Sequence, residues 1–574
     1  MPTGRGIIVA AALIYAMALN ALSAEGSVPG ERFPDTLSSQ PPLGTQAVKI
    51  FVTNDVHGYV FEDEGHKRIG YALLKGYIEA ARRQGCASFL LDAGDTFSGN
   101  ALAQYDAGLG VARLMGYMGY RVIAPGNHAF DYNASTGNMR YYTDVLLETL
   151  AATATESFEA TCVNLTSVWN KLPHLTGEPL VLAEGNGVRI VVAGVLTPYA
   201  RSSSSPENTD GHYDFGLVKT NGRADHAATK TTLLERLSEA IRPYDRPGDV
   251  VIVLLHVGND DTADYSQGQV RGTDLASVPN VDFVVDAHSH NHIPVRAIGP
   301  VQYCLPGRYL ERFAEITLYA EGNAVRGNME LVDYDQIKES AEPSLEMLGR
   351  LRELSDRMGL GEELFLVRDD LLGDDNISSE STPLGRLLCT SMNDISGADL
   401  SILNSGSLRS GIAPGWVTLG TLYDMMPFQN DLVTFSMTGG EIADLFHRLP
   451  PRRTNAFPQF GGMTVYAWDQ GNDRPLGIAG IRDRSGKPLN PERTYTVAVN
   501  SFMAEGGDGY SFNLVDKRNH GDLMALLVNR FRNIESADLE SFRKNDALLI
   551  YPDREVAQKG FMKTAEESRE GRNK

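Results

Sequence analysis

Val48-Lys49-Ile50-Phe51-Val52-Thr53-Asn54-Asp55-Val56-His57-Gly58 is an apolar, β-branched run that stops on an Asp-x-His pair. The arrangement recurs along the first half of the chain. Ser88-Phe89-Leu90-Leu91 leads into Gly94-Asp95, and the shorter Val122-Ile123 into Gly126-Asn127-His128 with Asp131. Val250 to Leu255 leads into His256, and Val281 to Val285 into Asp286-Ala287-His288-Ser289-His290. Short apolar runs bounded by turn residues read as buried strands. Consecutive strands of a buried sheet finish on a common edge, so residues distant in sequence meet there. The side chains brought to that edge are Asp55, His57, Asp95, Asn127, His256, His288 and His290. These oxygen and nitrogen donors suit borderline or hard divalent ions and suffice for two metals sharing a carboxylate.

Two metals about 3.5–4 Å apart need a bridging carboxylate, two or three further ligands each, and an open edge. On an extended segment Asp55 and His57 are expected to project to one side, and the same alternation is expected to let His290 reach the other ion from His288. Gly94 permits the sharp turn that places Asp95 between the ions. Taken singly, each piece has a blander reading: a helix-capping Asp, a core His, a Gly-Asn turn. Five together, in order and after strands, point to a metal site.

These motifs resemble the calcineurin-like metallophosphoesterase superfamily: Asp-x-His, Gly-Asp, Gly-Asn-His, a lone His, and His-x-His. The variant Gly126-Asn127-His128-Ala129-Phe130-Asp131 looks like its exported 5′-nucleotidase / UDP-sugar hydrolase branch. The resemblance implies a four-layer α/β/β/α catalytic domain and two divalent ions (Zn, Mn, Co, Fe or similar). Asp55, His57, Asp95 and His290 are then expected to hold one metal, and Asp95, Asn127, His256 and His288 the other. His128, oriented by Asp131, is implied to be catalytic, stabilising the phosphoryl oxygens while activated water attacks phosphorus. Ala287 stands where the superfamily usually has Gly, a small intrusion that removes no ligand.

At 574 residues the chain is long enough for two or three domains. Its formal charge of −21 argues against a nucleic-acid polymer or an anionic membrane as the main partner. Residues 1–24 read as an export signal: Arg5, an apolar stretch Ile7 to Leu19 too short to span a bilayer, and Ala21-Leu22-Ser23-Ala24 for cleavage. A periplasmic or extracellular location without a remaining membrane span follows. Residues 25–46 are a Pro/Ser/Gly-rich lead-in, 47–335 the α/β catalytic domain, 336–362 a linker helix, 363–552 a second α/β domain, and 553–574 a polar tail. Ser202 to Gly222 reads as a surface loop. Cys86, Cys162, Cys304 and Cys389 permit disulfides whose pairing spacing does not reveal, and sequence leaves the oligomeric state open. The sequons at Asn133, Asn164 and Asn376 matter only in a eukaryotic secretory pathway.

The second half supplies three loop-like segments: Asn404 to Arg409, Pro427 to Asn430, and Phe502 to Tyr510. Phe428 and Phe502 offer ring faces on which a base stacks, Asp508 a carboxylate for ribose hydroxyls, Arg409 and Arg386 cations for phosphate. As core residues the two Phe need no ligand. The segments resemble the C-terminal motifs of the 5′-nucleotidase family, Asn-Gly-Gly-Gly-x-Arg, Pro-Phe-x-Asn and Asn-Gly-Gly-Asp-Gly. The resemblance implies that the two rings clamp the base, while Arg386, Asn404, Arg409 and Asp508 contact base, ribose or phosphate. It also implies a domain rotation about the linker. Ser405 and Ser407 replace glycines and Glu505 replaces Asn, and the serines are expected to crowd the base pocket.

The expected activity is release of phosphate from nucleoside 5′-phosphates, with UDP-sugars and 2′,3′-cyclic nucleotides as further substrates. Alternatives are a thiosulfohydrolase of the sulfur-oxidation type, disfavoured by the paired Phe and Asp508, and a catalytically silent nucleotide-binding or adhesion protein, disfavoured by the complete ligand set.

Overall fold

The computed structural model describes residues 47–570 except 170, 186–187, 205, 247, 260–267, 322–323, 369–376, 429, 450–451, 453, 472–473, 535–541 and 543–546. The expected signal segment and lead-in, the Asn376 sequon, Gln429 and residues 571–574 lie outside the described residues.

Five strands carry the ligand motifs: β1 (Val48–Thr53), β2 (Ala87–Asp92), β3 (Tyr120–Ile123), β4 (Asp249–His256) and β5 (Phe283–Val285). β1, β2 and β3 are parallel neighbours in a seven-stranded sheet, with Thr53 opposite Asp92 and Asp92 opposite Ile123. β4 and β5 are parallel neighbours in a six-stranded sheet, with Leu254 opposite Val285. Because the strands are in register, their carboxyl ends are level, and the residues just beyond them gather at one edge.

Both faces of each sheet are covered. Ile50, Val52, Leu91 and Val122 from the first sheet pack with Ile190, Ile252, Leu254 and Val285 from the second. Phe51 and Leu90 point the other way, toward helices Gly70–Arg83 and Leu109–Met118. Val251 and Val253 meet Leu233 and Leu237 of helix His226–Ile241. The result is helix, sheet, sheet, helix, the four layers that near-continuous apolar strands require. Each fully buried Val, Leu, Ile or Phe contributes roughly 1.5–3 kcal/mol, so alignment of the strand ends is enforced by the packing behind them.

Helix Leu345–Met358, which ends on left-handed Gly359, buries Met347, Leu351 and Leu354 in the same cluster as Phe51. The linker region therefore also contributes to the first core. Beyond it, Leu400–Asn404 and Thr494–Asn500 lie side by side in a five-stranded sheet, with helix Pro383–Ser396 packed against it.

One expectation needs correction. Ser202 to Gly222 is not a plain surface loop: it contains the end of helix Ala200–Ser203 and helix Pro206–Thr209. Its Asn208 donates to the carbonyls of Phe130 and Asp131, so its polar residues serve the loop beneath. The polar tail is helical over Arg554–Glu570, burying Ala557 and setting Phe561 under the Arg482 guanidinium at 4.5 Å. Asn133 and Asn164 are fully buried and hydrogen-bonded to main-chain carbonyls, which makes neither a glycan acceptor. All four cysteines are free.

Candidate metal centre

Asp55 and His57 follow β1, Asp95 follows β2, Asn127 follows β3, His256 ends β4, and His288 and His290 follow β5. All seven side chains meet. Donor atoms of Asp55, His57 and His290 lie within 4.8 Å of one another, as do those of Asp95, His256 and His288. Asp95 stands between the two groups, its Oδ2 2.9 Å from His256 Nε2 and 3.9 Å from His57 Nε2. Asn127 Oδ1 is 3.2 Å from His256 Nε2.

The local backbone is not the extended chain expected for the two His-containing pairs. Asp55, His57, Asp95, His288 and His290 all have positive φ, between 44° and 80°. Non-glycine residues adopt this region at a cost of order 1–3 kcal/mol each and need surrounding structure to hold them there. Here that structure is a lacing of the loops: Asp55 N–H donates to Gly94 O and His57 N–H to Asp95 O, both at 2.9 Å. The Asp55 carboxylate accepts from His288 N–H at 3.0 Å, and Asp95 Oδ1 accepts from His128 N–H at 2.9 Å. Convergence of Asp55 with His57, and of His288 with His290, thus comes from tight turns rather than strand alternation.

Two carboxylates to which the sequence reading gave no role anchor these turns. Asp92, the last residue of β2, accepts from Thr53 Oγ1 at 2.6 Å, Thr96 Oγ1 at 2.9 Å and Gly94 N–H at 3.0 Å, tying β1 to the Asp95 loop. Asp286 Oδ1 accepts from Val257, Gly258 and Ala287 N–H at 3.2, 3.0 and 2.8 Å, while Tyr303 donates to Oδ2 at 2.7 Å. One buried carboxylate therefore pins the loop after His256 to the loop carrying His288. An acidic residue closing an apolar strand was the available signal for both.

Ring orientation decides whether these histidines can be ligands. His57 Nδ1 is 2.9 Å from Ser98 O and His256 Nδ1 is 2.8 Å from Ala93 O. A carbonyl only accepts, so each Nδ1 carries the proton and each Nε2 lone pair faces inward. His57 Nε2 and His290 Nε2 face each other at 3.0 Å. Carbonyl-anchored imidazoles with inward lone pairs, beside carboxylates and an amide oxygen, are a donor set that fits divalent cations.

The electrostatics agree. Burial, aided by neighbouring histidines, pushes His57 and His288 down to about 3 and His290 well below the ordinary imidazole range. These rings stay neutral, as ligands must be. At His256 burial also opposes the charge, but Asp95 and Asp55 outweigh it and push the imidazole up to about 9, so a cation binding there displaces the Nε2 proton and exposes the lone pair. Burial acts against ionised Asp95 as well, and His256, His128 and His57 more than offset it, holding its carboxyl well below the usual range. Asp95 is the natural seat of negative charge between the groups.

His128 Nδ1 is 2.8 Å from Asp131 Oδ2, leaving Nε2 at the other end of the ring. Burial disfavours its charge, yet Asp131 and Asp95 raise its pKa above the ordinary value. Its ring lies 5.4 Å from His57 on one side and 5.8 Å from Phe428 of the second half on the other. The Arg409 guanidinium stacks over Phe428 at 5.0 Å, and its charge acts on His57, His128 and His290. Asn404 Nδ2 donates to Asp508 Oδ2 at 2.7 Å, and Phe502 is half-buried against Gly507.

The structure does not support Arg386 as a phosphate ligand. It is buried in helix Pro383–Ser396 and donates to the carbonyls of Ser381 and Phe542, which gives it a structural task. Nor do the serines crowd a base pocket through their hydroxyls. Ser405 donates to the Thr454 and Asn455 carbonyls and Ser407 to Asn404 Oδ1.

Residues 48–292 match the calcineurin-like phosphoesterase family, and residues 370–515 match the 5′-nucleotidase C-terminal domain. The chain therefore carries a calcineurin-like phosphoesterase domain followed by a 5′-nucleotidase C-terminal domain. It is a hydrolase, and the first domain implies divalent metal ions. Protein UshA of Yersinia enterocolitica is 25% identical over 513 residues, covering 81% of this phosphoesterase and 86% of the relative. Among solved structures, the 5′-nucleotidase precursor of Thermus thermophilus superposes with a TM-score of 0.64 at 19% identity, covering 88% of this chain and 100% of the other. The sulfate thiohydrolase SoxB of the same organism gives 0.59 at 15%, covering 90% and 98%. Both likenesses are of fold. Among the described residues, no helix of this phosphoesterase is long and apolar enough to cross a membrane.

Proposed function

We propose that this phosphoesterase releases phosphate from nucleoside 5′-phosphates at a two-cation centre. Asp55, His57, Asp95 and His290 would hold one ion, and Asp95, Asn127, His256 and His288 the other. Bound divalent cations would supply Lewis-acid polarisation of the phosphoryl oxygens and a water acidified to near neutrality.

The chain's own residues do the rest. His128, whose charged form Asp131 and Asp95 favour against burial, presents Nε2 to an equatorial phosphoryl oxygen and balances charge that grows in the transition state. Arg409 adds a second positive charge from the opposite wall. Hydrolysis forms one P–O bond to water and breaks the bond to the 5′-oxygen, which leaves with a proton as the nucleoside. Phe428 and Phe502 supply stacking faces worth ~1–3 kcal/mol per base. Asn404 and Asp508 supply polar contacts to base and ribose.

The observation that carries this reading is Phe428. Its ring lies 5.8 Å from His128 and 5.0 Å from the Arg409 guanidinium, so a stacking surface and a phosphate-binding cation flank the charge-balancing imidazole. A centre built for a thiosulfonate carrier has no use for a base platform beside the phosphoryl site. UDP-sugars and 2′,3′-cyclic nucleotides belong to the same proposal, as does export through residues 1–24.

The test is a substrate panel of AMP, UMP, UDP-glucose, 2′,3′-cyclic AMP and a thiosulfonate-bearing peptide, assayed after chelation and resupply of Zn, Mn or Co. Phosphate from AMP and UMP, lost on chelation and restored by metal, is the expected outcome. Sulfate from the peptide with no phosphate from nucleotides would reassign the centre.

A further inference from the structure

Resting on the nucleotidase reading, we propose that Ser407 is a positioning residue that sets the substrate-facing polarity of Asn404 and Asp508. The expected motif has glycine at this position, so its hydroxyl is an addition of this chain.

Ser407, Asn404 and Asn500 are almost fully buried, at 3%, 3% and 1% exposure. The Ser407 hydroxyl donates to Asn404 Oδ1 and accepts from Asn500 Nδ2 at 2.9 Å. Asn500 Nδ2 also donates to Asn404 Oδ1 at 3.0 Å. With both acceptor positions of that oxygen occupied, a flipped Asn404 amide would set its NH2 against two donors. The amide is therefore held with Nδ2 toward Asp508 Oδ2, 2.7 Å away. Asp508 has φ of 53°, a left-handed backbone that a carboxylate side chain must be anchored to retain. Asn500 Oδ1 meanwhile accepts from Met503 N–H at 2.8 Å, capping the short helix that bears Phe502.

The chemistry has a direction. Held this way, Asn404 offers the substrate donor hydrogen and no acceptor, while Asp508 offers acceptor oxygen. The pair suits a ribose with free hydroxyls and a base presenting a ring nitrogen or carbonyl. Losing the Ser407 hydroxyl leaves one acceptor position of Asn404 Oδ1 unfilled, so that only Asn500 Nδ2 and Asp508 Oδ2 hold the amide, and this looser hold weakens ribose and base contacts without touching the metal centre.

The experiment compares Ser407→Ala with the full-length wild type on AMP, 2′,3′-dideoxy-AMP and p-nitrophenyl phosphate, which has neither ribose nor base. One buried hydrogen bond corresponds to about a tenfold change in affinity. The expected result is a KM for AMP raised about tenfold, kcat within about twofold, and a shrunken preference for AMP over its dideoxy analogue. Kinetics on p-nitrophenyl phosphate should hold. Unchanged KM for AMP overturns the proposal, and so does an equal loss on AMP and p-nitrophenyl phosphate, which marks general damage. Ser407→Cys, similar in volume with a weak donor, should fall between the two and serves if the alanine variant fails to fold. A wild type that cleaves p-nitrophenyl phosphate but not AMP fails the nucleotidase reading first and takes this proposal with it.

Discussion

A histidine serves as a ligand only when its other nitrogen is tied down and its free lone pair is aimed. At His57 and His256 main-chain carbonyls of Ser98 and Ala93 do the tying. Residue types and spacing made these ligands legible in the sequence, but their conformation was not, because the left-handed residues depend on hydrogen bonds between loops 33 to 233 residues apart. Arg386 misled for a related reason: a helix-borne arginine looks the same in sequence whether it faces a ligand or two buried carbonyls. Two predictions belong at this scale. His128→Ala should lower kcat for AMP by about 10²–10³ with a much smaller change in KM, the pattern of a transition-state interaction; equal losses with unchanged metal content would count against it. Asp286→Ala strands three main-chain N–H groups and should weaken cation binding about 10–100-fold by calorimetry. Asp286→Asn retains an acceptor oxygen for those groups and should cost only a few-fold. Equal behaviour of the two variants would remove Asp286 from the account.

Elements place the ligands by ending together. β1 to β5 were legible as apolar runs, because a strand covered on both faces needs no polar alternation. The Ser202 to Gly222 segment and the C-terminal helix were less legible. In the first of these, polar residues bond to the protein itself, as Asn208 does to Phe130 O, while composition alone suggests exposure to water. The turn after β2 is tight: Gly94 has φ of 101°, and a Cβ there would stand 2.6 Å from Gly126 N and 2.9 Å from His256 Nδ1. Gly94→Ala should therefore lower the thermal midpoint by several degrees and abolish cation binding by His256, read by differential scanning fluorimetry with and without Mn or Zn. A wild-type metal-induced shift in the variant would show that the turn tolerates the methyl group.

Across the whole molecule, the second half reaches over the centre. Asp424 accepts from Ala101 N–H at 3.0 Å, Gln104 donates to Pro427 O, and Glu505 shares a hydrogen bond with Glu207. Burial, with Glu207 and Asp431 and against Lys517, raises Glu505 from 4.5 to about 7. Between about pH 4.5 and 7 the folded protein keeps a proton that the unfolded chain has released, so this contact loses strength as pH rises through that window. Glu505→Gln is neutral throughout. Its unfolding midpoint relative to wild type should climb from pH 5 to pH 8, and a flat difference would show that the pair shares no proton. The pairing was not legible in the sequence, where Glu505 stands out only as a departure from the expected Asn and Glu207 lies 298 residues away. Most direct for the central claim is anomalous scattering from crystals of the full-length protein grown with Mn or Zn. Two peaks about 3.5–4 Å apart are expected, one among Asp55, His57 and His290 and the other among Asp95, His256 and His288, with Asp95 touching both. A single peak, or two on either side of a remote Asp95, would contradict it.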